Sequence, residues 1–214
     1  MRVSFFISFM FLFLFSGLLS AQEENGPDFD RIRVDPVGLP VSFDLRGSGM
    51  LSEIKVQPTG GCWSSSATAT IEPWWRKTGL GDYQLSDRNL QLTHGFDDSR
   101  NTYGNHFMAT AYFSRGSGPV DKNAGLDSIA LLRPQVPFIL TDARYVPGDA
   151  SLIKQTIMDY GPVYTMLYFK RRTVDTLDFV MGAIENPRQA INHAVVLVGW
   201  DDALSTPLGE GAWI

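Results

Sequence analysis

The stretch Gln57-Pro58-Thr59-Gly60-Gly61-Cys62-Trp63-Ser64-Ser65-Ser66-Ala67-Thr68-Ala69-Thr70-Ile71-Glu72 decides how the chain is read. Its first five residues are turn formers and read as a loop. From Cys62 onward, Trp63, Ala67, Thr70, Ile71 and Trp74 recur at helical spacing, which predicts a helix with one packed face. Cys62 opens that helix, where unpaired N–H groups and the helix dipole favour negative charge on the sulfur. Gly60 and Gly61 carry no side chain to obstruct an approach to it. Pro73 lacks an N–H and is expected to kink or end the helix between Glu72 and Trp75, with Lys77-Thr78-Gly79 as the stop.

Cys62 is the only cysteine of the 214 residues, so the chain forms no internal disulfide and its stability must come from its core. Export is indicated by the N-terminus, where Arg2 precedes an apolar run from Val3 to Leu19 that ends in small residues at Ala21. That pattern predicts a secretory signal peptide over 1–21; an uncleaved membrane anchor is the competing reading. After cleavage no stable membrane partner is expected, and the protein would be secreted, periplasmic or at the cell surface. An unpaired thiol in such a compartment is either buried and inert or kept for its reactivity. A net charge of −5 without a basic stripe excludes nucleic acid as an expected partner, and the short Lys170-Arg171-Arg172 run reads as a solvated face.

Working outward, 22–39 is a polar, turn-rich stretch that reads as a short leader or pro-segment. Short helical patterns and loops fill 80–133, among them Phe107 to Phe113 between Gly104 and Gly116. Asp149 is placed to cap a helix bearing Leu152, Ile153, Ile157 and Tyr160 on one face, ended by Gly161-Pro162. The runs 163–169 and 194–200 are rich in β-branched and aromatic residues and read as strands. The expected fold is therefore α+β, with a helical lobe over about 62–133, a β lobe over about 134–214 and a cleft between them.

His193 lies about 130 residues downstream of Cys62 and immediately before a strand-like run, so its ring can project from a strand end toward the lobe interface. A histidine in that position is equally a satisfied core residue or a functional base. His94 and His106 sit in polar, glycine-containing loops and read as surface residues.

Gly61-Cys62-Trp63 followed by a helix resembles the nucleophile segment of the papain-like cysteine peptidases, and Asn192-His193-Ala194-Val195-Val196-Leu197-Val198-Gly199-Trp200 resembles their histidine strand. Pro40 to Arg46 is similar to the start of the family domain, Ile54-Lys55-Val56-Gln57 to its oxyanion segment, Leu85 to Leu90 to its post-helix motif, and Tyr160-Gly161-Pro162-Val163 to a strand start in the β lobe. The resemblance, to the papain subfamily proper, runs from residue 40 to residue 214. It implies the papain-like two-lobed fold with a β-barrel-like second lobe, and a cysteine-type endopeptidase acting on peptide or protein substrates without metal or cofactor. By the resemblance Cys62 is the nucleophile, His193 the base, and Gln57 an oxyanion donor together with the Cys62 N–H. Gly104 and Asn105 would hold the substrate backbone, and Met166 and Ala194 would line an apolar specificity pocket.

Some features depart from that pattern. Thr59 stands where the family has a cysteine three residues before the nucleophile, the Gln57–Cys62 segment is one residue shorter and contains Pro58, and Ser64-Ser65 replaces a small-aromatic pair. Gly211-Ala212-Trp213-Ile214 is similar to the start of the strand that carries the family's orienting asparagine, so the sequence is expected to be a C-terminally truncated fragment, inactive as it stands. Two rivals remain at this level: a catalytically impaired papain-fold binding or adhesion module, and a transglutaminase-like Cys–His acyl transferase.

Overall fold

The computed structural model describes residues 38–57, 59–96, 103–116, 118–122, 139–170, 190–207 and 209–214. The signal peptide, most of the leader, Pro58, Arg171 and Arg172 lie outside the described residues. No helix among the described residues is long and apolar enough to cross a membrane.

The helix that opens at Cys62, α1 (Cys62–Lys77), is 16 residues long and does not stop at Pro73. The expectation that Pro73 would end the helix between Glu72 and Trp75 is thus corrected. A proline inside a helix costs about 3 kcal/mol, yet Glu72, Pro73 and Trp75 are all buried, and tertiary packing of that turn outweighs the lost hydrogen bond. The helix ends where the sequence says it should. Gly79 takes a left-handed φ of 73°, Leu80 N donates to Trp75 O at 2.9 Å and Gly79 N to Arg76 O at 3.3 Å, which satisfies the last carbonyls.

Burial on α1 extends beyond the predicted stripe. Ser64, Ser65, Ser66 and Thr68 are buried as well as Trp63 and Ala67. Of these four hydroxyls, Ser64 Oγ donates to Gly61 O at 3.0 Å, Thr68 Oγ1 to Ser65 O at 3.0 Å, and Ser65 Oγ to Asp87 Oδ2 of the next helix. Small hydroxyl side chains bonded to helix carbonyls fill a narrow interface without leaving orphaned polar atoms.

Three further helices follow among the described residues: α2 (Asp87–Thr93), α3 (His106–Ser114) and α4 (Ala150–Asp159). Each begins at a side-chain cap. Ser86 accepts from Asn89 N at 3.0 Å, Asn105 from Met108 N at 3.1 Å, and Asp149 from Leu152 N at 2.8 Å. Trp63, Ala67, Leu90, Ala109, Tyr112 and Phe113 gather α1, α2 and α3 around one core, which Ala194 joins from the second half of the chain.

The strands form two small antiparallel sheets. In one, β2 (Val163–Leu167) pairs with β3 (His193–Leu197); in the other, β1 (Ser42–Asp44) and β5 (Gly209–Trp213) flank β4 (Gly199–Thr206). The run 194–200, expected as one strand, is therefore two strands that belong to different sheets. The corner is Val198, whose N–H donates to Ile214 O at 2.7 Å while its carbonyl accepts from Leu45 N at 3.0 Å. Among the described residues these antiparallel sheets do not close into a barrel, the chain leaving the β2–β3 ladder at Val198. β2 also stops two residues short of the predicted Phe169. There the Asn192 side chain replaces the ladder, its Oδ1 accepting from Phe169 N at 2.7 Å and its Nδ2 donating to Phe169 O at 3.0 Å.

A second core, built on Leu45, Ile157 and Trp200, joins α4 to the β1–β4–β5 sheet. Trp200 is buried; it stacks on Phe43 at 5.4 Å and donates from Nε1 to Pro40 O at 3.1 Å, which fixes the chain where the described domain begins. Gly199, opposite Asp44 in the ladder, has no room for a side chain. A Cβ there would lie 2.1 Å from Phe43 O and 3.0 Å from Asp44 Cα, both backbone atoms. Gly199→Ala is therefore expected to force β1 away from β4 and to lower stability by about 1–3 kcal/mol in denaturant melts. Gly47→Ala, whose Cβ would meet nothing within 4 Å, serves as the control and should leave the melt unchanged.

Candidate active site

Cys62 is the first residue of α1, half-buried and unbonded to another sulfur. Gly61 precedes it at φ −90° and contributes no side-chain cap, so the first N–H groups of the helix are not claimed by a capping side chain at that position. The thiol packs against the core of Trp63, Ala67 and Ala194, and Tyr164 and Met166 pack against the same core from β2. Among the described residues no cluster of His, Cys, Asp and Glu is arranged to hold a metal ion.

His193 opens β3, opposite Leu167, and its ring lies 5.0 Å from that of Phe169. Burial pushes its imidazole below the ordinary histidine range. Ala194, the next residue, sits in the core against which Cys62 packs, so β3 lies beside α1. Met166 and Ala194, expected to share a pocket, are direct cross-strand partners.

Gly104 lies flat against the Trp63 indole: a Cβ there would be 2.4 Å from the ring, so only glycine lets this loop approach α1. Asn105 follows, and its Oδ1 is engaged as the cap of α3. Gln57 is exposed, in an irregular segment ahead of the Gly60-Gly61 turn.

Two histidines are placed differently from expectation. His94 is fully buried rather than at the surface: its ring meets the Trp63 edge at 5.8 Å and stacks on Phe96 at 6.0 Å, while Nδ1 accepts from Phe96 N at 3.1 Å. A local turn supplies that donor, which offsets the cost of burying the ring in a polar-looking sequence. His106 is half-buried among Phe107, Tyr145 and Tyr164, with ring separations of 4.1, 5.4 and 6.0 Å, and burial lowers its affinity for a proton. Lys170, in contrast, is exposed as expected.

Tyr164 is the site residue that sequence reasoning missed. Its hydroxyl is buried without a hydrogen-bond partner among the described residues, and its ionisation is pushed up by burial first and by the nearby Cys62 charge second. The signal was available in the strand period: Tyr164 and Met166 are two apart and share a face.

No family model matches the chain. Solved structures do. Cwp84, a surface layer associated protein of Clostridium difficile whose cysteine protease and lectin-like domains were solved together, matches with a TM-score of 0.63 and 24% identity, over 81% of this chain and 44% of that one. Digestive procathepsin L 3 from the larval midgut of Tenebrio molitor matches at 0.61 and 21%, over 85% and 60% of the two chains. The ragweed pollen allergen Amb a 11, a cysteine protease solved in its proform, matches at 0.61 and 20%, over 84% and 55%. The chain thus has the mixed helix and sheet fold of the papain-like cysteine proteases, and it spans about half the length of these neighbours.

The lowered imidazole of His106 sets a pH dependence. Below the ordinary value of 6.5 the unfolded chain binds a proton that His106 in the fold resists, so stability from this group is complete above that value and is lost as pH falls through its folded value. Unfolding free energies at about pH 7.5 and about pH 5 should therefore differ less in a His106→Gln variant than in the parent. An identical difference would show that the ring does not resist protonation.

Proposed function

We propose that the protein is a cysteine-type endopeptidase of the papain subfamily proper, with Cys62 as nucleophile and His193 as acid and base. The observation that carries this reading is the meeting of a helix that starts at a thiol with a strand that starts at an imidazole, through the core shared by Trp63 and Ala194. The fold shared with solved cysteine proteases supports it.

In this reading the Cys62 thiolate attacks the scissile carbonyl carbon, forming a C–S bond and a tetrahedral oxyanion. That oxyanion is held by the Cys62 N–H and the Gln57 amide. As it collapses, the C–N bond breaks, the His193 imidazolium gives its proton to the leaving amine and a thioester remains. Water then attacks the thioester with His193 as general base, releasing the acid and restoring the thiolate. Gly104 and Asn105 would face the substrate backbone, and the Met166–Ala194 pair would favour an apolar side chain beside the scissile bond. Substrates are peptides or proteins. The signal-like residues 1–21 and the surface-layer association of one neighbour support action outside the cytoplasm.

Burial alone disfavours charge on His193, so an imidazolium there needs the thiolate as counter-ion. In the active protein Cys62 should be alkylated by iodoacetamide well below the pH at which a free thiol reacts. Cys62→Ser should abolish hydrolysis with an unchanged far-ultraviolet circular dichroism spectrum. In that variant His193 should titrate lower than in the parent by NMR, since its partner charge is gone; equal titration in the two proteins would rule out the ion pair.

A further inference from the structure

The segment that carries Gln57 has no obvious means of staying in place. Ile54 and Val56 are 98% and 97% exposed, so apolar burial does not hold it, and no backbone ladder pairs it with a neighbour among the described residues. It runs beside an open depression of about 290 Å³ between α1 and β3. Yet it is fixed at two points. On one side, Lys55 Nζ turns inward to Glu72 Oε1 at 2.8 Å and to Leu85 O at 3.1 Å, and Glu72 Oε1 also accepts from Leu85 N at 2.6 Å. On the other, Gln91 Nε2 donates to Thr59 O at 2.9 Å.

Both anchors reach into the interior. Glu72 is 1% exposed and Gln91 fully buried, and the Lys55 side chain keeps only 12% of its surface. A buried ion pair is weak grounds for added stability, because desolvation offsets its Coulomb attraction. What it does supply is one defined position for the chain that bears it. Each anchored residue is two residues from Gln57, at most about 7 Å of extended chain, so Gln57 is bracketed on both sides by points tied to α1 and α2.

We propose that Lys55, Glu72 and Gln91 form a two-point clamp that positions Gln57 as an oxyanion donor. The proposal rests on the peptidase reading for its catalytic consequence. The three are positioning residues and do not touch the reacting atoms.

The test uses the full-length protein and two clamp variants. In Lys55→Met/Glu72→Gln the amide oxygen still accepts from Leu85 N while the ionic tether is gone; in Gln91→Met the Thr59 tether is gone. For a peptide substrate, kcat should fall roughly 10- to 100-fold in each with KM little changed, as expected when a catalytic donor is misplaced by about 1 Å. Alkylation of Cys62 by iodoacetamide, which needs no oxyanion donor, should keep the parent rate. In a Gln57→Ala background the clamp variants should cause no further loss of kcat. Independently, in a Cys62→Ser background, thermolysin should cut before Ile54 or Val56 at least about tenfold faster once the clamp is opened. Unchanged kcat, or a loss that simply adds to that of Gln57→Ala, would overturn the positioning role; unchanged thermolysin cutting would overturn the clamp. If Cys62→Ser hydrolyses as fast as the parent, the peptidase reading fails and takes the positioning role with it, while the thermolysin arm still decides whether the clamp exists.

Discussion

The structure depends on the burial of the Trp63 side chain at the start of α1. One face of the molecule's helical half closes around it: the His94 ring meets the indole in a T-shaped contact at 5.8 Å, and Gly104 passes so close that a single methyl would collide. Ala194 enters the same core from β3, and with it comes the neighbouring His193. Packing at interior density tolerates few voids and little overlap, so a helix that starts one residue before a buried tryptophan has little freedom in where it starts. The position of Cys62 is inherited from that constraint.

Around this core the protein manages without a disulfide. Its alternatives are small and numerous: hydroxyls of α1 bonded back to helix carbonyls, an aspartate of α2 receiving Ser65, and a glutamate inside α1 receiving both a lysine and a backbone N–H. Each such bond contributes modestly, but leaving any of these buried groups unpaired would cost about 1–3 kcal/mol. The serine-rich face of α1 is thus a polar seam with its partners built in. The cost appears only at isolated atoms, such as Glu72 Oε2 and the Tyr164 hydroxyl, which have no hydrogen-bond partner among the described residues.

The second half of the chain solves a different problem. Its strands belong to two sheets, and Val198 is the corner at which one ends and the other begins, bonded to Leu45 on one side and Ile214 on the other. The corner lets β3 face α1 while β4 turns its Trp200 toward α4 and the N-terminal strand. Residues around 40–45 consequently complete a sheet formed mainly from the far end of the sequence. The fold is shared with papain-like cysteine proteases at identities that leave side-chain chemistry to be argued from this chain's own residues.

Local chemistry was legible in the sequence wherever a residue acts on its near neighbours. Asp149 as a helix cap, Gly79 and Gly161 at helix ends, Cys62 at a helix start and the strand character of 163–167 all follow from rules that span a few residues. Tertiary structure decided the rest. Pro73 was carried through α1 because its turn is buried, His94 went inside because a backbone N–H meets its Nδ1, and 194–200 split because two sheets compete for it. Tyr164 came to lie near Cys62 because β2 and α1 share a core, although some 100 residues separate them. Backbone propensity and capping are settled over one or two helical turns, whereas burial is settled by whatever the rest of the chain brings alongside. A single sequence states the first directly and the second only through the completed packing.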